Sequence, residues 1–530
     1  EIPASLVGSE MCIRDSTVTV NPLAQLNELQ NIVVCHEDDV NEIVFTSTTE
    51  GGITTYEWIA SGDDVGLTQT DDGTGVINQF TAQNITSEPL ISSITITPTL
   101  TNGGVSNVGN TLTFTITVNP VPQLEDSLEN AICHNDSYTY SPVNGEDGVV
   151  PSGVTYSWAV PASTSPEVSG TSGTDQNEFS TGILSNLLST PETLTYLVTP
   201  KILATGCEGE DFTVTITVNP EPQIDNFSET ICEGDTFISI TPEDGTNGVV
   251  PLGTTYTWDI AANSSSSIEG ASASTAASAT IPGSELTLVA GTTSPQDLIY
   301  VVTPTSSEGC EGEDFTVTIT VNPTAQVDPV DSLDLCNGDT AVIDFTTSNG
   351  GVDSVTTYSW AVTGDDIGLP TEGIDNISEL VTNSTNDILT ATITVTPTYT
   401  NDGEPCTGPS EEFTITVSPT AQVEQVEDIV VCNGDEVAEI VFSTANENGT
   451  TIYSWTNDNT SIGLAASDTG DITTFEANND TNDPITATIT VTPSYDTTPL
   501  LACTGDPITF TITVNPTAQV DPVDSLDLCN

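Results

Sequence analysis

The sequence predicts an all-β chain, a tandem array of about five antiparallel β-sandwich domains. Three observations carry this expectation. A strand-like signature ending in Asn-Pro or Ser-Pro closes at Pro22, Pro120, Pro220, Pro323, Pro419 and Pro516, so five complete units follow one another at spacings of 96 to 103 residues. That period is a whole domain, because solenoid repeats run about 20–50 residues. Within each unit the apolar residues recur at every second position, and no segment shows the 3.6-residue spacing of an amphipathic helix.

Each element follows from the same alternation. In TFTITVNP, Phe114, Ile116 and Val118 point one way and Thr113, Thr115 and Thr117 the other, as a half-buried strand requires. The Pro that follows cannot donate to a ladder and ends the strand. About twenty residues earlier a second strand reads ITITP, YLVTP, YVVTP, ITVTP and ITVTP, expected to close at Pro98, Pro200, Pro304, Pro397 and Pro493. A third carries Tyr-x-Trp, and all five tryptophans, Trp58, Trp158, Trp258, Trp360 and Trp455, occupy this one position. They are expected as core anchors, each with its Tyr on the same strand face. With the VVC and EIVF segments and the variable centre, this gives about seven strands per hundred residues, the pattern of an immunoglobulin-like sandwich with Trp on its third strand.

The repeat fixes the expected domains: 17–22 as the end of a preceding repeat, then 23–120, 121–220, 221–323, 324–419 and 420–516, with 517–530 as the truncated start of a sixth. Residues 517–530 repeat 324–337 letter for letter. Residues 1–16 fit none of this. They contain the only Met, Arg14 and the out-of-pattern Cys12, and SLVGSEMCIRDS at 5–16 resembles the in-frame translation of a sequencing-library adapter. Without them the balance is 74 acidic residues against Lys201 alone, from a whole-chain formal charge of −75 over 530 residues.

That charge excludes several functions. Nucleic acid and anionic membrane surfaces need clustered Lys and Arg, and no apolar run approaches the roughly 18–20 residues of a membrane span. Lys-Asn isopeptide staples are open to no repeat but the one with Lys201. No G-x-S-x-G, H-E-x-x-H or phosphate-cradling loop occurs, so no catalytic residue and no enzyme activity is expected. His36 and His134 share one repeat position, where other units have Glu233, Asn337, Asn433 and Asn530, and read as loop residues.

The VCNGD start, the TTYSW strand, the TVTP strand, a C-x-G-x step and the closing TVTVNP resemble the PKD-like, immunoglobulin-like repeats of giant cell-surface proteins in Bacteroidota, including gliding-motility adhesins. The resemblance covers residues 17–530. It implies a β-sandwich array, export to the cell surface and a role in adhesion or as a stalk.

Ten cysteines keep to the repeat. The first of each unit lies 12 or 13 residues after the boundary Pro, at Cys35, Cys133, Cys232, Cys336, Cys432 and Cys529; the second lies 13 before the next, at Cys207, Cys310, Cys406 and Cys503. Fixed pairs without further metal ligands point to disulfides and an oxidising compartment. Pairing within a repeat is favoured: Cys133–Cys207, Cys232–Cys310, Cys336–Cys406 and Cys432–Cys503. Pairing between neighbours, as in Cys310 with Cys336, stays open, because the spacing is near-symmetric about the boundary Pro.

The carboxylates have two readings: a solvated acidic surface, or one whose self-repulsion is relieved by calcium. Glu311, Glu313 and Asp314, and Asp328, Asp331 and Asp334, are the candidate oxygen ligands; no other cofactor is expected. The function read from the sequence is a non-catalytic stalk or spacer of a secreted or cell-surface adhesin, acting on an extracellular glycan or protein through other modules. Two alternatives remain. In one the array itself binds such ligands, for instance through 265–281; in the other it is the spacer of a secreted multidomain enzyme.

Overall fold

The computed structural model describes residues 18–67, 72–163, 165–498, 501–520 and 522. The adapter-like segment and Cys529 lie outside the described residues. Each of the five repeats builds a two-layer β-sandwich of the immunoglobulin-like type. In repeat 2 the main sheet runs, in spatial order, from an opening strand (Ser127–Cys133) to the closing strand (Phe212–Asn219), the long strand (Glu192–Ile202), the Trp strand (Val154–Trp158) and a short edge strand (Gly173–Gln176). The same order recurs in repeats 1, 4 and 5, and repeat 3 has it without the edge strand. The second layer is a two-stranded sheet, such as Ser137–Tyr140 with Phe179–Ile183.

The core lies between the layers, and the alternation places it there. Phe212, Val214, Ile216 and Val218 of the closing strand are buried, as are Leu194, Tyr196 and Val198 of the long strand. The outward threonines pair across strands, Thr195 with Thr215 at 3.2 Å and Thr486 with Thr513 at 2.9 Å.

Trp58, Trp158, Trp360 and Trp455 are buried in their cores, and Trp258 is only partly covered. The difference has a local cause. In repeats 1, 2 and 4 a glycine of the edge strand, Gly73, Gly173 or Gly373, lies flat against the indole, so close that an added Cβ would fall 2.2–2.5 Å from it. Repeat 3 has no such strand. The Ser-rich segment 265–281 covers the ring instead, with Ser274 Oγ accepting from Trp258 N at 2.8 Å and Ser272 O from its Nε1 at 3.1 Å.

One expectation about strand length is corrected. The long strand does not stop at its Pro but runs on, as Leu90–Asn102, Glu192–Ile202, Gln296–Thr305, Leu389–Asn401 and Ile485–Thr498. In a strand the N and O of one residue face the same neighbour, and Pro98 O faces Gly109 N at 2.8 Å, beyond the start of the closing strand at Leu112. The missing Pro N–H therefore falls where no ladder partner is lost.

The opening strand decides the architecture of the chain. It pairs parallel with the closing strand of its own repeat, so Cys35 lies level with Asn119, Cys133 with Asn219, Cys232 with Asn322 and Cys336 with Ser418. Each first cysteine thus stands at the end of the sandwich that meets the next repeat.

Candidate functional site

The covalent chemistry of the described residues concentrates at the joints between repeats. Four disulfides span them: Cys35–Cys207, Cys133–Cys310, Cys232–Cys406 and Cys336–Cys503. Each ties the end of one opening strand to the turn between the long and closing strands of the following repeat.

This corrects the favoured pairing within a repeat and bears out pairing between neighbours, though not through Cys310 with Cys336. Cys133–Cys207, Cys232–Cys310, Cys336–Cys406 and Cys432–Cys503 do not form, because the two cysteines of one repeat sit at opposite ends of its closing strand. Cys207 precedes that strand and Cys133 is level with its last residue, Asn219. Eight residues of strand, at about 3.3 Å each, separate ends that a bridge needs within about 7 Å. Cys310–Cys336 fails for the same reason, since Cys310 faces the repeat before and Cys336 the repeat after. Among the described residues Cys432 is unbridged and exposed.

The first repeat lacks a second cysteine, and Asn107 occupies its place, two residues before Gly109. It donates from Nδ2 to Asn21 O at 3.1 Å, while Asn21 and Asn102 exchange amide hydrogen bonds. The same exchange, Asn322 with Asn401, reinforces the bridged joint between repeats 3 and 4. There Thr230 Oγ1 also donates to Asp402 Oδ2 at 3.1 Å.

The links between repeats are packed rather than free. Ala24, Ala325 and Ala421 are buried, and each lies on a glycine of the following turn. A Cβ on Gly109, Gly209, Gly312, Gly408 or Gly505 would come within 1.8–2.2 Å of the link's carbonyl oxygen. The loops beside the link close the joint from the other side. Gly350 N donates to Thr293 O at 2.8 Å and Glu447 N to Asn386 O at 2.9 Å, each from one repeat to the one before.

A buried asparagine that the sequence reading missed holds the C-terminal end of the sandwich in repeats 1, 2, 4 and 5. Asn84, Asn186, Asn383 and Asn479 each donate from Nδ2 to two backbone carbonyls, one of them on the closing strand. Each backbone N–H is accepted by the residue after the first cysteine: His36 Nδ1, His134 Nδ1, Asn337 Oδ1 and Asn433 Oδ1. His and Asn interchange there because both present an acceptor at the same reach. The signal was in the sequence, since each asparagine lies six residues before its long strand.

Clefts of about 450 and 500 Å³ lie at the first two bridged joints, lined by His36, Glu208, Glu210 and Asp211 in one and His134, Glu221, Glu313 and Asp314 in the other. Burial pushes the Glu221 carboxyl up, with His134 opposing and Asp136 and Glu313 adding to it. A raised folded pKa means that protonation stabilises the fold, a contribution lost as pH rises through it. Glu221→Gln is therefore expected to raise the melting temperature at pH 7, and the gain should vanish on acidification below the ordinary carboxylate range.

The calcium candidates do not assemble. Asp314 accepts from Thr303 Oγ1 at 2.6 Å and Asp328 from Thr346 Oγ1 at 2.7 Å. Asp328, Asp331 and Asp334 are three residues apart on largely extended chain, which separates neighbours by about 10 Å. Among the described residues no three His, Cys, Asp or Glu side chains converge as a metal site requires. Lys201 Nζ pairs with Glu208 Oε1 at 2.6 Å across the turn that carries Cys207.

Residues 130–222 and 228–325 match the model of the PKD-like domain family. No curated protein matches the chain in sequence. Among solved structures, the protocadherin gamma-B4 extracellular domain is 12% identical, with 93% of this chain and 84% of that one covered and a TM-score of 0.27. The human desmocollin-1 ectodomain is 13% identical, covering 96% and 100%, at 0.24. The first five immunoglobulin domains of sidekick-1 are 11% identical, covering 94% and 100%, at 0.20.

Proposed function

We propose that the chain is a stiff, acidic, non-catalytic spacer of a secreted or cell-surface adhesin, of the kind found among giant Bacteroidota surface proteins. One observation carries the reading: a covalent bridge spans every joint from repeat 1 to repeat 5. A joint with a single covalent connection bends about it, whereas two connections on different strands, with a buried link between them, oppose bending in more than one direction. The bridges fit an oxidising, extracellular setting. The charge, about −14 per repeat on average, keeps neighbouring arrays apart where exposed sheet edges would otherwise pair. The glycan or protein ligand is met by other modules, and the array sets how far they stand from the surface.

Electron microscopy of the oxidised protein tests this. Five sandwiches, each about 35–40 Å long, give straight rods on the order of 200 Å. Reduction is expected to broaden the distribution of angles at the joints. Oxidised particles bent at random at each joint would contradict the reading.

Calcium is not required by this account, so melting curves in calcium and in chelator at fixed ionic strength are expected to coincide.

A further inference from the structure

The bridges do more than fasten neighbours, because they interleave. Cys133 lies inside the loop closed by Cys35–Cys207, Cys232 inside that closed by Cys133–Cys310, and Cys336 inside that closed by Cys232–Cys406. From the connectivity we infer a further function: the array is a load-bearing tether with two covalent rails, which keep tension out of the sandwiches they connect.

The first rail runs from Cys35 across its bridge to Cys207, along the chain to Cys232, across to Cys406 and on to Cys432. The second runs from Cys133 across to Cys310, along to Cys336 and across to Cys503. Each chain segment within a rail is short and consists of a closing strand, a buried link and the next opening strand. Between Cys207 and Cys232 the strands Cys207–Glu208, Phe212–Asn219, Gln223–Ile224 and Phe227–Cys232 take up most of the length, so this segment is already close to straight. In repeats 2, 3 and 4 the opening strand belongs to one rail and the closing strand to the other. Their parallel ladder holds the rails side by side, running in the same direction.

The rest of each repeat, including the Trp and long strands, hangs between the rails. Residues 134–206 join Cys133 of the second rail to Cys207 of the first, and residues 233–309 join Cys232 to Cys310. A pull along a rail passes these segments by, whether or not they are folded.

The effect on length is large. A fully extended residue spans at most about 3.5 Å, so the chain from Val33 to Val430 would reach roughly 1,400 Å if every sandwich between them unfolded. Along the first rail the same two residues are joined by roughly 50 residues and two bridges, a limit of about 190 Å. Four folded repeats already span about 150 Å. Oxidised, the array has almost no hidden length to release; reduced, it has all of it.

The test is single-molecule stretching of the full chain between bio-orthogonal handles at Val33 and Val430, both exposed. The oxidised protein is expected to show no unfolding step near the roughly 300 Å that one repeat would release. Reductant should restore such steps. Cys35→Ser with Cys207→Ser, which cuts the first rail, should raise the limit on length by about 500 Å, because the shortest covalent paths then run through repeat 1 to Cys133, across to Cys310 and back through either repeat 3 or repeat 5. Cys133→Ser with Cys310→Ser removes the same number of bridges but leaves the first rail whole, and should match the unmodified protein. Full-length steps in the oxidised protein, or equal behaviour of the two double variants, overturn the inference. Comparison of the unmodified protein before and after reduction decides the matter even where a variant fails to fold. The outcome is separate from the spacer reading: straight rods that still give full-length steps would defeat the tether alone.

Discussion

Gly408→Ala is expected to destabilise repeat 4 by about 3 kcal/mol or more and to loosen the joint with repeat 3. The added methyl would fall 1.8 Å from Ala325 O, 2.6 Å from its carbonyl carbon and 3.1 Å from its Cα. These are backbone atoms of a buried link, which cannot turn aside as a side chain does, so either the link lifts or the turn opens. Overpacking commonly costs about 1–3 kcal/mol, and a clash with backbone on this scale lies at or beyond the top of that range. Lifting the link also endangers the hydrogen bond from Gly408 N to Pro397 O, which ties the turn to the long strand. Calorimetry of the whole chain should show one repeat melting early. An unchanged melting profile would mean that the link does not rest on this glycine.

Trp360→Ala is the second large effect, about 3–5 kcal/mol, the usual cost of deleting a buried Trp. Trp360 is 6% exposed, stands against Gly373 and donates from Nε1 to Asp375 O at 3.1 Å. Trp258→Ala is expected to cost markedly less, because that ring lies under a Ser-rich segment rather than an edge strand and is only partly covered. Denaturant titration of the two variants provides the comparison. Equal losses would show that the tryptophans act alike despite their different surroundings.

The sequence made some of this fold legible and hid the rest for physical reasons. A period of two marks a strand and says which face is buried, so Phe114, Ile116 and Val118, and the Tyr-x-Trp pairs, lie where the alternation puts them. The closing prolines end their strands as expected. Alternation carries no strand direction, however, and nothing in IVVC says that it pairs with the closing strand, or that the pairing is parallel. That one unreadable feature decides which end of the sandwich Cys35 and Cys133 occupy, and with it the whole disulfide pattern.

Trp258 illustrates a different loss. The residue is in register with its four counterparts, but its burial depends on an edge strand that repeat 3 lacks. His36 and His134 were read as loop residues because no chemical partner was visible. Their partner is a backbone N–H, which composition does not reveal. The recurring asparagine six residues before the long strand was within reach of a closer alignment of the repeats. The carboxylate clusters were chosen by nearness in sequence, which extended chain does not turn into nearness in space: Asp328, Asp331 and Asp334 stand about 10 Å apart.

The most direct measurement of the central claim is disulfide mapping of the unreduced protein, cut with a non-tryptic protease because Lys and Arg are nearly absent. The account predicts peptides joining Cys133 to Cys310 and Cys232 to Cys406. Peptides joining Cys133 to Cys207 or Cys232 to Cys310 would return each bridge to a single repeat, and neither the stapled joints nor the two rails would stand.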